Sequence, residues 1–449
     1  MNPPLVGSVH TVTVRDLGSG GEGIAALGEA FTVFVPFALE GETVRIRVNH
    51  VRRNLVFADL LSVEVPSPLR VRPVCYRFGK CGGCDLMHLS YDAQLLAKHK
   101  ALTVTLAKAG ITAPVDPVVP SPEPLGYRNK LQLPFGIVEG RTVLGFFQEK
   151  THRVVPIKKC FLHKEWAETL IAVTLEFVKE KGYTVYDERT GKGLLRHLVA
   201  RMLQGALCVT LVVNGTPPKD LKQLHTALKE RFDSVSLWVS VNRNRNNVIF
   251  GDPPVPVVYE RQTVTEEGIA LELHPLSFFQ VNDGVRSLLT QAVSRAIPPS
   301  APVIDAYSGV GLLGAVLAKN GHPIVNIEIV PEAIADAEKL YRDNGVAQNA
   351  THIAGDAAVE LPKVLTELKA SAVPPVIVLD PPRKGLDSAV VSTLNALTGS
   401  DLIYISCNPA TLARDLNLLS AHYTVTRITP FDMFPMTKHV ETLVLLCRK

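Results

Sequence analysis

The sequence predicts an α/β protein in three parts: a small β-barrel, a mixed α+β middle block, and a parallel, doubly wound α/β domain. Three observations lead there. Short β-rich runs crowd the N-terminal end, β runs alternate with helical ones from about residue 266 onward, and 449 residues exceed what one core ordinarily supports. The parts are drawn at residues 1–66, 67–265 and 266–449.

In the first part the runs VHTVTV, FTVFVPF, ETVRIRV and VFADLLSV are separated by GSGGEG and ALEGE, the spacing of a small closed sheet. Arg45, Arg47, His50, Arg52 and Arg53 gather on its later runs, where they serve either as phosphate contacts or as a solvated rim. A Pro-rich link, VPSPLRVRP, leads into the middle block, which mixes β runs such as LCVTLVV and SVSLWVSV with helices. Residues 90–110 predict a helix with a Ser or Asp cap that stops at Gly110 and packs on the third part. NRNRNN, at 242–247, predicts a polar loop. In the third part the strands are APVIDAY, PIVNIEI, a run near THIAG, PPVIVLD and DLIYISC, and YTVTRITPFDM and HVETLVLLC add two more.

Composition bounds the function. Apolar residues make up 46% and charged ones 20%, with a net charge of +4, which permits a nucleic-acid partner without requiring one. No leader pattern or long uncharged apolar run is present, so a cytoplasmic protein is expected, without membrane contact and as a monomer. Seven unevenly spaced cysteines do not make a secreted disulfide framework.

A nucleotide site is expected where the first strand of the third part ends. In Asp305-Ala-Tyr-Ser-Gly309-Val-Gly311, the glycines allow a tight turn and close approach to a ligand at a helix N-terminus. Glu328 ends the next strand, 17 residues after Gly311, where a carboxylate can accept from ribose hydroxyls. A dinucleotide oxidoreductase and an S-adenosylmethionine enzyme both fit so far. Asp356, after the third strand, and Asp380-Pro-Pro-Arg383, after the fourth, make the set resemble the class I methyltransferases, although Asp356 serves equally well as a helix cap.

Cys407 closes the strand LIYIS just before a helix start, where a helix dipole favours a thiolate. Glu441 opens the last strand among apolar residues. A thiol with a carboxylate base suits methylation at C5 of a pyrimidine. C5 becomes nucleophilic only after a soft nucleophile adds to C6, and a base must afterwards take the C5 proton. The runs SFFQVN, DAYSGVG, DPPRKGLD, YISCNPATLARDL and FPMTKHVE closely resemble those of the RNA uracil-5-methyltransferases, and the N-terminal part resembles their TRAM domain.

The resemblance implies Cys407 as nucleophile, Glu441 as base, and Asp380 as the acid that holds the uracil and borders the cofactor. It implies S-adenosylmethionine contacts from Gln280 at the methionine end, Tyr307 at the adenosyl group and Glu328 on the ribose, with Asp356, Gly309 and Gly311 beside them. Arg383 is left between the pyrimidine oxygen and a phosphate. Ser308 and Met436 depart from residues common in the family.

Cys75, Cys81, Cys84 and Cys160 suit either tetrahedral zinc or a cubane cluster on spacing alone. The resemblance to the ribosomal-RNA branch implies a [4Fe-4S] cluster there, one that shapes the middle part. Cys208 and Cys447 are expected to be structural. The target uracil must leave its stack, and RNA contacts are expected from the barrel arginines, from Tyr127, Arg128, Asn129 and Lys130, and from Arg196, His197 and Arg201. The substrate implied is 23S ribosomal RNA, with a T-loop uridine of transfer RNA as the alternative. An amino-methylating enzyme that needs no thiol and a non-catalytic RNA-binding iron-sulfur protein are the competing classes.

Overall fold

A computed structural model describes residues 3–277, 279–368 and 373–449. The strands Val9–Leu17, Gly23–Leu27, Phe31–Val35, Thr43–Arg52 and Leu55–Val65 close into a barrel. Alternation sets its inside: Val44, Ile46 and Val48 point inward and pack on Val12, Val33 and Val56, while Arg45 and Arg47 between them face out. Glu42, fully buried at the barrel's end, is clamped by Arg70 of the following link, whose guanidinium also donates to Phe37 O at 2.7 Å.

The middle block is a seven-stranded sheet built from residues 130–258, backed by the helices Trp166–Lys181 and Leu221–Lys229. Its central strands, Leu195–Leu203 and Ala206–Val213, are covered on both faces, so the second reads as a nearly continuous apolar run and the first buries Arg196 and Arg201 among apolar residues. NRNRNN is an irregular loop, but its Asn242 is buried and donates to Val248 O and Ile249 O at 2.7 and 2.9 Å.

The third part holds the strands Ala350–Ala354, Ile324–Glu328, Val303–Asp305, Val376–Leu379 and Leu402–Ser406, parallel and adjacent in that order. Glu441–Arg448 then runs antiparallel beside Leu402–Ser406, and Tyr423–Phe431 lies outside it. Apolar clusters cover both faces, one with Val303, Val378 and Ile405, the other with Ile304, Ile377 and Tyr404. The helix Tyr91–Lys108 packs here, with Leu102 and Leu106 in the same cluster as Leu412 and Leu416. Val115 and Val119 bridge to Ile428 and Phe431 at the sheet edge. The hairpin Thr263–Glu266 and Ile269–Glu272 spans the expected boundary at 265/266 and buries Val264, Ile269 and Leu271 against the same domain. Among the described residues no helix is long and apolar enough to cross a membrane.

Candidate active site

The residues singled out in the sequence lie along one edge, at the carboxyl ends of the parallel strands, where open α/β sheets bind ligands. The Gly309 and Gly311 turn follows Val303–Asp305, with φ of 53° and 74°, and Gly311 caps the helix Leu312–Lys319. Glu328 faces this turn: its carboxylate accepts from Gly309 N and Val330 N, each at 3.0 Å. Tyr307 stands between Asp305 and the turn, and its N–H donates to the Asp305 carboxylate. Asp356 is exposed and caps the helix Ala357–Glu367, accepting from Ala358 N at 2.9 Å, so its capping role is satisfied within the chain.

Gln280 enters from the other side. Its carbonyl accepts from Asn129 at 3.1 Å and from Arg286 at 3.2 Å, and both side chains also hold Asp283, at 2.6 and 2.8 Å. Arg201 donates to Ser277 O at 3.0 Å and lies over the Phe279 ring, 4.9 Å from its centroid. Asn129 and Arg201 were expected to contact RNA. Instead they are buried braces between the middle sheet and the Gln280 segment. Arg196 is buried too, donating to Asn242 O and Asn244 O at 2.7 Å each, and Tyr127 donates to Pro435 O at 3.2 Å. Their short-range sequence context does not reveal which neighbour covers them.

Cys407 and Glu441 are delivered by one pair of strands. Ser406 pairs with Thr442, so the register carries Cys407 and Glu441 onto the adjoining rung. Asn408 caps the helix Pro409–Leu419 by accepting from Ala410 N at 3.1 Å, while its amide donates to Arg383 O at 3.0 Å. Thr411 donates to the same carbonyl at 3.2 Å. These bonds bring the Asp380-Pro-Pro-Arg383 turn against the thiol, and the Arg383 side chain hydrogen-bonds Cys407.

The electrostatics of this corner are those of a carboxylate cluster. Burial raises Asp380 to about 7, and burial followed by the charge of Asp380 raises Asp305 to about 7. Glu441, 1% exposed, lies well above the usual carboxylate range through burial and the Asp380 charge, with Arg383 opposing. Burial also pushes the half-buried Cys407 thiol up, and Glu441 and Asp380 add to this while Arg383 pulls it down. Burial and the two carboxylates thus act against the thiolate that the helix N-terminus favours. Asp305 completes the cluster and is the site residue the sequence reading passed over. It opens the DAYSGVG run, and only the charge of Asp380, just beyond the end of the adjacent strand where Asp305 pairs with Val378, gives it weight.

Cys75, Cys81, Cys84 and Cys160 line one cavity of about 250 Å³ together with Arg77, Arg128 and Lys159. Among the described residues no group of His, Cys, Asp or Glu is gathered as a ready ligand set for a single metal ion. Burial raises Cys84 far above an ordinary thiol, with Cys160, Cys81 and Cys75 adding to it, and raises Cys160 to about 11. Thiols gathered in one cavity, three of them with raised pKa, are a donor set suited to a cation that replaces the protons. Cys208 is buried, as expected, whereas Cys447 is exposed on the last strand.

The sequence profile of the tRNA (uracil-5-)-methyltransferases matches residues 90–449, and that of the TRAM domain matches residues 3–61. A protein named an uncharacterized RNA methyltransferase in Halalkalibacterium halodurans is 39% identical over 448 residues, covering 98% of this chain and 96% of its own. Another so named, in Caldanaerobacter subterraneus, is 35% identical over 458 residues and covers 100% of both chains. Among solved structures, the tRNA (uracil-54, C5)-methyltransferase of Pyrococcus abyssi, in complex with S-adenosyl-L-homocysteine, is similar at TM-score 0.77 and 29% identity. That likeness covers 97% of this chain and 100% of its own.

Proposed function

This chain belongs to the tRNA (uracil-5-)-methyltransferase family, S-adenosylmethionine-dependent enzymes of RNA, and from that premise we propose that it methylates C5 of a uridine in 23S ribosomal RNA through a covalent bond from Cys407 to C6. The observation that carries the proposal is that the strand register brings Cys407 and Glu441 opposite each other, on the rung next to Ser406 and Thr442, with Asp380 and Arg383 acting on both.

S-adenosylmethionine, when bound, supplies an electrophilic methyl group. Tyr307, Gly309, Gly311, Glu328 and Gln280 hold it along the strand edge, with Asp356 at the rim and Asp380 between it and the uracil. A flipped uracil enters between Cys407 and Asp380. The Cys407 thiol loses its proton to water and its sulfur bonds to C6, with Arg383 beside the sulfur's negative charge beforehand and the charge on the ring afterwards; the proton that Glu441 later takes from C5 returns to the departing sulfur. The electron pair moves to C5, which takes the methyl group. Ionised Glu441 then removes the C5 proton, the C5–C6 double bond re-forms, and the sulfur leaves with its electron pair. Burial and mutual repulsion raise Asp305, Asp380 and Glu441 above ordinary carboxylates, which strengthens them as proton acceptors.

Cys75, Cys81, Cys84 and Cys160 would hold a [4Fe-4S] cluster, a reading supported by their lining one cavity and by the resemblance of their spacing to that of the family. For RNA we propose the exposed barrel arginines Arg45 and Arg47, continuing onto a groove of about 1510 Å³ on the middle sheet lined by Arg77, Lys80, Arg141, Arg153 and Arg189. The domain division at residues 1–66, 67–265 and 266–449 is supported by the closed barrel and the two separate sheets, with the helix Tyr91–Lys108 counted with the catalytic part. The cysteine spacing favours ribosomal RNA. The full-length likeness to an enzyme named for uridine 54 of transfer RNA keeps transfer RNA as the second reading.

Mapping 5-methyluridine in ribosomal and transfer RNA from cells with and without the protein decides both matters. A methyl group lost from 23S ribosomal RNA supports the proposal, one lost only from transfer RNA supports the second reading, and no loss refutes both. RNA carrying 5-fluorouridine should form a covalent adduct with the wild-type protein and none with Cys407→Ala.

A further inference from the structure

The thiol cavity and the catalytic base are joined by a continuous set of bonds. The residues directly after Cys84 hold the turn that leads into Glu441: Asp85 N and Leu86 N both donate to Met436 O at 3.0 Å. Asp85 Oδ2 accepts from Lys438 N at 3.2 Å. Gln94 completes the grip with its side-chain amide, accepting from Met436 N at 3.0 Å and donating to the Met436 sulfur at 3.3 Å. Lys98 donates to Phe434 O at 3.0 Å, so with Tyr127 on Pro435 O three successive carbonyls of the turn are held from residues 85–127.

Met436 is where the turn and the cavity meet. Its φ of 67° lies in the left-handed region, which a non-glycine residue adopts only when its surroundings enforce it. Its side chain is buried in the apolar cluster that includes Met87, Tyr127, Leu162, Cys75, Cys84 and Cys160.

We propose that Asp85 and Gln94 are positioning residues for Glu441, and that through them and Met436 the filling of the thiol cavity sets how well the base is placed. The inference rests on the reading of Glu441 as base and of the four thiols as a cluster site. It assigns those thiols a part in a reaction that requires no electron transfer. Without the cluster, Cys84 is released from its fellow thiols, the Asp85 segment loosens and the turn relaxes from its enforced φ. Cys407, held by the helix cap and Arg383, stays in place, so addition to uracil outlasts proton removal.

The test uses the full-length protein in cluster-loaded form, in iron-stripped form kept reduced, and as Asp85→Ala, Gln94→Ala and Asp85→Asn. Hydrogen exchange of residues 432–441 is read without RNA, and the fraction of uridine RNA covalently held is read on denaturing gels after single turnovers. Stripping, Asp85→Ala and Gln94→Ala should each speed exchange in this segment about 10-fold and make methylated RNA accumulate as the Cys407 adduct. Asp85→Asn, which keeps an acceptor for Lys438 N, should restore both. Unchanged exchange in the stripped protein overturns the inference, as does a proportional loss of adduct formation and release, the mark of a merely structural role. If the loaded wild-type protein forms no Cys407-dependent adduct with 5-fluorouridine RNA, the underlying reading fails instead, and the exchange result remains separately legible.

Discussion

Replacing Lys98 by Met perturbs the fastening of the base-bearing turn in a way the structure makes quantitative. Lys98 Nζ lies 2.5 Å from Asp432 Oδ1, with side-chain exposures of 1% and 0%. At an effective dielectric of about 20, unit charges 2.5 Å apart attract by roughly 7 kcal/mol, most of which is offset by stripping water from both ions. The pair as a whole thus contributes little, whereas removing the cation alone strands a buried carboxylate. Lys98→Met should cost about 3–5 kcal/mol. Adding Asp432→Leu should recover most of this, less about 1 kcal/mol for the lost bond to Phe434 O. Urea unfolding followed by far-UV circular dichroism reads the whole chain, and fluorescence from Trp166 and Trp238 reads the middle sheet domain separately. A single variant within about 1 kcal/mol of wild type, or a double variant no more stable than the single, refutes the reasoning.

Other outcomes follow from the same geometry. Because the folded-state values of Asp305 and Asp380 lie above their usual 3.8, their contribution to stability is complete below 3.8 and is lost as the pH rises through about 7. Asp380→Asn should therefore abolish methylation yet flatten the fall in melting temperature over that range; an unchanged slope would count against the cluster. A Cβ at Gly314 would lie 2.3 Å from the Tyr341 hydroxyl and 2.7 Å from Asn326 Oδ1, so Gly314→Ala should cost about 1–3 kcal/mol and weaken S-adenosylhomocysteine binding in calorimetry. Arg47→Ala, on the outer face of the barrel, should weaken RNA binding about equally for all sequences and reduce the slope of log affinity against log salt by about 1; an unchanged slope removes Arg47 from the interface.

The alternation of strands and helices in the catalytic domain was legible because glycine turns and helix caps are local signals: Gly311, Asp356 and Asn408 all announce helices that form where the sequence places them. The proposed nucleophile and base were singled out through their motifs, but their electrostatic surroundings were not legible there. The raised Cys407 thiol depends on Glu441 and Asp380 arriving from other strands, and no window of sequence contains all three. The middle block misled for a related reason. An arginine on a strand reads the same whether its neighbour is water or another domain, and Arg196 and Arg201 sit on a strand covered on both faces. Asp356 was open between cap and cofactor contact, and its bond to Ala358 N accounts for the cap.

The raised thiol of Cys407 bears on how such a protein survives in the cell. Oxidants and alkylating agents attack thiolates, so a thiol whose ionisation is opposed by burial and by neighbouring carboxylates is less open to them, which would suit the nucleophile proposed above. Its reactivity is called up only when a uracil displaces water and gives Arg383 a second charge to hold. The crowding of carboxylates around a sulfur, unfavourable for making a thiolate in isolation, thus acts as a safeguard that confines the reactive sulfur to the moment its substrate is present.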